Sequence, residues 1–491
     1  PSASFDIAIR SCLAGERPAG ELGYTCERCP ENSYSDGLGE ADCTSCPPLI
    51  GDCASGVLRL REGFFLVEDE QSWLSENGTR LQRRFLDASA EVHPCWNPEA
   101  CVLDLEARTT RCAEGYAGPL CGVCDQAANF AKQGVNTCVA CPSFAVNLTV
   151  VLVIALVLLG ALVWVTVFRK VDPKERTPTV MRIGLSFVQS LGALGIYKAR
   201  GTETFRAVFG FAEAAGASLF AASPVACFFE LDYFERFATM MLLPLIAAGF
   251  AVLIKAASVA LTSRQWAPLR EYFRERKFMS VFVLILYIAY PMLTAQAFSM
   301  LDCLPESVDG VYYLKADLAV ACYSSAHWAG VGAAGVALAL FGVGIPAAVV
   351  RLLFRNRARL TEPGFIAQYG FLFQGYDVER GMFWWEGTML ARKAMIVMLG
   401  STIRDPYYAI VLATLVSVAG LVAHVHYRPY REAVFNYLET LTLSAITATQ
   451  VLSILFLRSE QVESSETQRL VADAAVTGAL LLVNLVTLLR V

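Results

Sequence analysis

The chain has 491 residues, of which 55% are hydrophobic and only 17% charged. A soluble domain carries roughly 25% charged residues, and several apolar runs here reach the ~20 residues needed to cross a bilayer. The net charge of −5 leaves no electrostatic footprint for nucleic acid. Composition therefore excludes a simple cytosolic enzyme and points to a polytopic membrane protein.

Thirteen of the 16 cysteines fall within residues 1–141. A dense cysteine block beside a membrane domain predicts a disulfide-stapled ectodomain in an oxidising compartment. The chain opens on Pro1-Ser2 without an apolar targeting segment, so a signal peptide or longer N-terminal region is expected upstream. Two stretches share one spacing. Cys26-x2-Cys29 is followed after thirteen residues by Cys43-x2-Cys46, and Cys121-x2-Cys124 after thirteen by Cys138-x2-Cys141. Zinc ribbons use the same spacing. The additional cysteines and the outer location derived below favour disulfides. No metal and no cofactor is expected. Asn77-Gly-Thr79 is a glycosylation acceptor if it faces the lumen.

After the ectodomain (1–141), apolar windows predict nine spans within 142–491: about 144–168, 180–197, 237–261, 278–300, 324–353, 384–403, 407–426, 438–457 and 470–490. Arg and Lys cluster in alternate loops, at Arg169–Arg176, Arg264–Lys277, Arg355–Arg359 and Arg428–Arg431. Basic loops stay on the cytoplasmic side, which places the N-terminus outside and the C-terminus inside. The fold class expected is an all-α polytopic bundle with a small loop/β ectodomain. Residues near 204–222 have one apolar face and are read as an amphipathic helix lying on the outer surface. Cys227, Cys303 and Cys322 then lie outside as well. Cysteine arithmetic pairs Cys303 with Cys322, and Cys227 with the odd ectodomain cysteine.

Ionisable and amide side chains at membrane depth are costly and are candidates for function. In the eighth span Glu439, Thr442, Thr449, Gln450 and Ser453 share one helical face; the ninth adds Asp473 and Asn484. Such a stripe either lines a hydrated path or forms interhelical hydrogen bonds. Glu386, Arg392 and Lys393 form an intramembrane charge cluster on the sixth span, with Glu386 placed to pair with a cation of a neighbouring helix. Pro244, Pro291 and Pro346 interrupt spans and permit kinks, Gly342-x-Gly344-Ile-Pro346 being the most hinge-like.

Enzyme signatures are missing. The chain has no phosphate-binding P-loop, no His-Glu-x-x-His zinc motif and no Gly-x-Ser-x-Gly elbow. Its four histidines are scattered at 93, 327, 424 and 426. Catalysis is not expected.

Cys26-Glu-Arg-Cys-Pro-Glu-Asn-Ser-Tyr-Ser, followed by Cys43-Thr-Ser-Cys-Pro, resembles an ephrin-receptor-like repeat. Cys112 to Cys124 is similar to the end of an EGF-like module. Further along come Cys303, Leu314-x-x-Asp317, Cys322, Gly342-x-Gly-Ile-Pro346, Gly370-Phe-Leu372 with Tyr376, Trp385-Glu386 with Arg392-Lys393, and His424-x3-Arg-Pro-Tyr430 with Asn436 and Glu439. In this order they resemble the multipass proteins of algae and other protists that join such repeats to a transient-receptor-potential-like membrane region. The resemblance implies cation passage or membrane sensing in a plasma, ciliary or other secretory-pathway membrane. The partners it implies are the lipid bilayer, an extracellular ligand or matrix protein, and further copies of the chain. One departure stands out: Arg458 to Arg469 is short and polar, with Glu460, Glu463 and Glu466 but no apolar pore helix. The alternative function is a non-conducting anchor or structural subunit that grips extracellular material or a partner protein.

Overall fold

The computed structural model describes residues 12, 16–19, 25–35, 43–46, 51–53, 59–60, 62–67, 73–76, 79–82, 92–104, 109–133, 137–164, 176–194, 223–229, 231–263, 278–403, 405–459, 478 and 486–487. The chain divides into two compact units. One holds Pro1–Cys141 together with Glu306–Tyr313 and Asp317–Cys322; the other holds Pro142–Pro305, Leu314–Ala316 and Tyr323–Val491.

The first unit is built from short antiparallel hairpins, such as Cys101–Asp104 with Thr109–Cys112 and Phe130–Gln133 with Thr137–Ala140. Strands this short bury too little apolar surface to hold a small module, and bridges take over that work. Cys12–Cys26, Cys29–Cys43, Cys46–Cys53, Cys95–Cys101, Cys112–Cys121 and Cys124–Cys138 are disulfides. Cys29–Cys43 and Cys124–Cys138 occupy matching places in the two equally spaced stretches, each closing a separation of 14 residues. Cys141, Cys227, Cys303 and Cys322 are bridged as well, so the thiolates a zinc ribbon needs are not available.

Around Cys95, Ala100, Cys101 and Cys121 lies a small core. The Tyr116 hydroxyl accepts from the Asn97 amide and from the Cys138 backbone N–H, each at 3.1 Å. The segments 306–313 and 317–322, which follow the fourth expected span, belong to this unit. Leu318 is buried there beside Gly122 and Trp96, and His93 Nδ1 lies 3.6 Å from Glu306.

The second unit is helical. Its long helices are numbered α1 Phe144–Val163, α2 Thr177–Leu194, α3 Tyr233–Ser263, α4 Phe278–Ser299, α5 Ser325–Arg355, α6 Trp385–Thr402, α7 Pro406–Tyr427 and α8 Ala433–Ser459. Among the described residues, only α1, α3, α4, α5 and α7 are long and apolar enough to cross a membrane by length and composition. Five of the nine expected spans meet that criterion. Helices α2, α6 and α8 carry Arg182 and Gln189, then Glu386, Arg392 and Lys393, then Glu439 and Gln450, all buried. The ninth expected span lies largely outside the described residues, as does the amphipathic segment 204–222.

Helix α5 is not regular. A π-turn spans Leu338–Val343, where the Gly344 N–H reaches back five residues to the Ala339 carbonyl. A Cβ on Gly344 would sit 2.8 Å from that oxygen, so glycine is required at this position. Ile183, Tyr287, Tyr290, Leu353, Phe371, Trp385 and Leu390 form the main core between α2, α4, α5 and α6.

Candidate functional site

Side chains from α2, α4, α6, α8 and two connecting loops meet in one buried polar cluster. Its anchor is Arg182. On α2, Arg182, Ser186 and Gln189 follow a spacing that puts them on one face, and all three are buried. The Arg182 guanidinium lies 3.0 Å from Glu386 of α6 and donates to the carbonyls of Phe371 and Gln374 at 2.7 and 2.9 Å. These two carbonyls sit at the end of the helix Pro363–Phe373, where helical acceptors lack intrahelical donors.

Above the guanidinium, the Tyr376 ring centre is 4.4 Å away, within the range of a cation–π contact. Tyr376 stacks on Tyr430 with ring centres 4.7 Å apart. The two are held by a short antiparallel bridge: Arg431 N–H donates to the Gly375 carbonyl at 2.9 Å, and Asp377 N–H to Pro429 at 2.8 Å. The turn is possible because Arg428 takes a left-handed conformation at the end of α7, while Asn436 clamps it by donating to the Tyr430 carbonyl at 2.7 Å. Tyr376 donates to Glu386 at 2.8 Å and Tyr430 to Glu439 at 3.4 Å. Burial raises both phenols well above their ordinary range, so both remain protonated donors.

A second arm of the cluster serves the carbonyls left without donors by prolines. Pro291 removes the N–H that would serve the Tyr287 carbonyl in α4. The Gln189 amide fills that place, donating toward Tyr287 O at 3.4 Å and Ile288 O at 3.1 Å. Its oxygen accepts from Lys393 of α6 at 2.9 Å, and Lys393 also reaches the Tyr287 hydroxyl at 3.4 Å. Pro346 likewise strips the donor for Gly342 in α5. The Tyr290 hydroxyl lies 3.3 Å from the Gly342 carbonyl and 3.1 Å from that of Leu390. At both prolines a side chain of the polar core thus lies at the carbonyl that has lost its helical donor.

The stripe on α8 is buried from Glu439 to Gln450, and Ser453 is half-buried. Glu439, Thr442, Thr449 and Gln450 are each at most 3% exposed. The hydroxyls of Thr442, Thr449 and Ser453 donate to carbonyls of their own helix, those of Glu439, Ala445 and Thr449, at 2.8–2.9 Å. Gln450 has no hydrogen-bond partner on either amide atom. Asp473, Asn484 and Asn77 lie outside the described residues. Arg182, Gln189, Tyr287 and Tyr376 were not singled out as a site from the sequence. For Arg182 the signal was available, an arginine one turn inside an apolar helical window.

His327 of α5 is near Cys303, with Nε2 and Sγ 3.8 Å apart. Cys303 is oxidised and offers no thiolate to a metal.

The chain is similar to cysteine repeat modular protein A of Toxoplasma gondii, at 26% identity over 190 residues. That match covers 35% of this chain and 6% of the length of the relative. No family model matches, and no solved structure matches.

Proposed function

We propose that this chain is a multipass membrane sensor whose disulfide-rich ectodomain engages extracellular material and whose kinked bundle responds by passing ions. The observation that carries this reading is the buried cluster of Arg182, Glu386, Arg392, Lys393 and Glu439, linked to the carbonyls freed by Pro291 and Pro346 through Gln189, Tyr287 and Tyr290. An inert anchor gains nothing from five ionisable groups at membrane depth, each expensive to bury. A device that changes shape does, because alternative pairings in such a cluster give two discrete arrangements. Bridged extracellular modules suit ligand or matrix binding, and the name of the Toxoplasma relative describes the same modular cysteine-repeat organisation. Cations are the ions in this reading on the strength of the transient-receptor-potential-like motif order. The alternation of basic loops supports an N-terminus on the outer side of the membrane, which in this reading belongs to the plasma, ciliary or another secretory-pathway membrane.

A second reading, a non-conducting anchor, is favoured by one observation: the α8 hydroxyls are spent on their own helix. Current across a planar bilayer holding the purified, oxidised protein, with and without tension, separates the two. Unitary cation currents lost in Glu439→Ala support the sensor. Silence under every gradient and tension from folded protein rejects it in favour of the anchor.

A further inference from the structure

Arg392 stands apart from the rest of the cluster. It is 3% exposed, yet Nε, Nη1 and Nη2 all lack a hydrogen-bond partner. Arg182 and Lys393 are engaged, as described above. A guanidinium carries five N–H donors, and leaving a buried charge unserved is strongly unfavourable. Neither Glu386 nor Glu439 forms a hydrogen bond with Arg392. The unpartnered acceptors of the cluster, Glu386 Oε1, His424 Nδ1 and Gln450 Oε1, make no hydrogen bond with it either.

The stem of Arg392 crosses α7 at Gly420. A Cβ there would meet Arg392 Cδ at 2.8 Å, so a side chain at this position would displace the arginine. Ser417 lies one turn earlier on the same face of α7. It is 1% exposed, and its hydroxyl also has no partner. Both groups can donate, and neither has an acceptor. Among the buried side chains of the cluster, three are basic (Arg182, Arg392, Lys393) against two acidic (Glu386, Glu439).

We propose that Arg392 and Ser417 hold a small monovalent inorganic anion of the halide class inside the bundle. An anion accepts from several N–H groups and the hydroxyl together, and its charge matches the single excess cation. A neutral water satisfies the donors but leaves that excess in place. The site stands whether or not the bundle conducts, since its test does not use current.

The test is thermal unfolding of the purified full chain in detergent, titrated with sodium chloride or sodium bromide against sodium gluconate at constant ionic strength. A bound halide raises the midpoint saturably, while gluconate is too large for the site. Ser417→Ala removes one hydrogen bond to a charged ligand and should raise the half-saturating halide concentration by roughly tenfold or more. Arg392→Gln should abolish halide dependence. A wild-type midpoint equal in all three salts, or a halide response unchanged in Ser417→Ala, overturns the proposal. Ser417→Ala is a small change that decides the question even where Arg392→Gln fails to fold.

Discussion

Arg182 and Glu386, 204 residues apart in sequence, face each other at 3.0 Å with side chains 2% and 1% exposed. Removing one partner of such a pair leaves an uncompensated buried charge, at a cost of about 3–5 kcal/mol. The two partners are not equivalent. Arg182 also serves the Phe371 and Gln374 carbonyls, whereas Glu386→Gln keeps an oxygen to accept from Tyr376. Arg182→Met should therefore destabilise the folded protein more than Glu386→Gln. The double variant should cost less than the sum of the two, because neighbours in one network couple. Denaturation in detergent, followed by helical signal, measures all three; additive losses would show that the pair does not act as a unit.

The Tyr290 hydroxyl offers a sharper test of how the bundle accommodates Pro346. Tyr290→Phe leaves the Gly342 carbonyl without the donor that replaces the missing Pro346 N–H, at a cost of about 1–3 kcal/mol for an unsatisfied buried acceptor. Pro346→Ala restores a backbone N–H to that helix. In the Pro346→Ala background the same Tyr290→Phe change should cost measurably less. Equal losses in the two backgrounds would mean that the hydroxyl matters through Leu390 or packing alone.

The five apolar helices and the bridged ectodomain were legible in the sequence because each depends on local composition. Helix α1 reads as a span from its own residues alone, and Pro291 and Pro346 announce interruptions. What could not be read is which groups meet. Nothing near Gln189 says that its amide will cap the Tyr287 and Ile288 carbonyls 98 and 99 residues away, since that follows from three helices packing together. The period of α8 correctly places Thr442, Thr449 and Ser453 on one face, but periodicity cannot show that their hydroxyls turn back to their own carbonyls. Equal spacing revealed the two matching stretches, while their closure as Cys29–Cys43 and Cys124–Cys138 and the outward links of Cys26 to Cys12 and Cys46 to Cys53 depend on how the hairpins fold.

Cysteine pairing gives a prediction that needs no functional assay. Six bridges account for twelve ectodomain cysteines, and Cys141, Cys227, Cys303 and Cys322 remain, none of them free. The expected pairs are Cys141 with Cys227 and Cys303 with Cys322. Peptide mapping by mass spectrometry without reduction should recover both. A free Cys227, or Cys141 joined to Cys303, would refute the arithmetic.

Leu318 decides whether the segments 306–313 and 317–322 stay packed within their unit. It is 1% exposed, packed where a Cβ on Gly122 would collide with it. Leu318→Ala removes buried methyl groups at a cost of about 2–5 kcal/mol, and the loss should fall on this contact. Segments that open locally are cut in proportion to their open population when reclosing is fast. Limited proteolysis of the oxidised full chain should therefore speed up within 306–313 in Leu318→Ala, while Val311→Ala, at a position 37% exposed, should leave the rate near that of the parent. If the two variants are cut at the same rate, Leu318 does not hold the segment, and the contact of His93 with Glu306 becomes the one to test next.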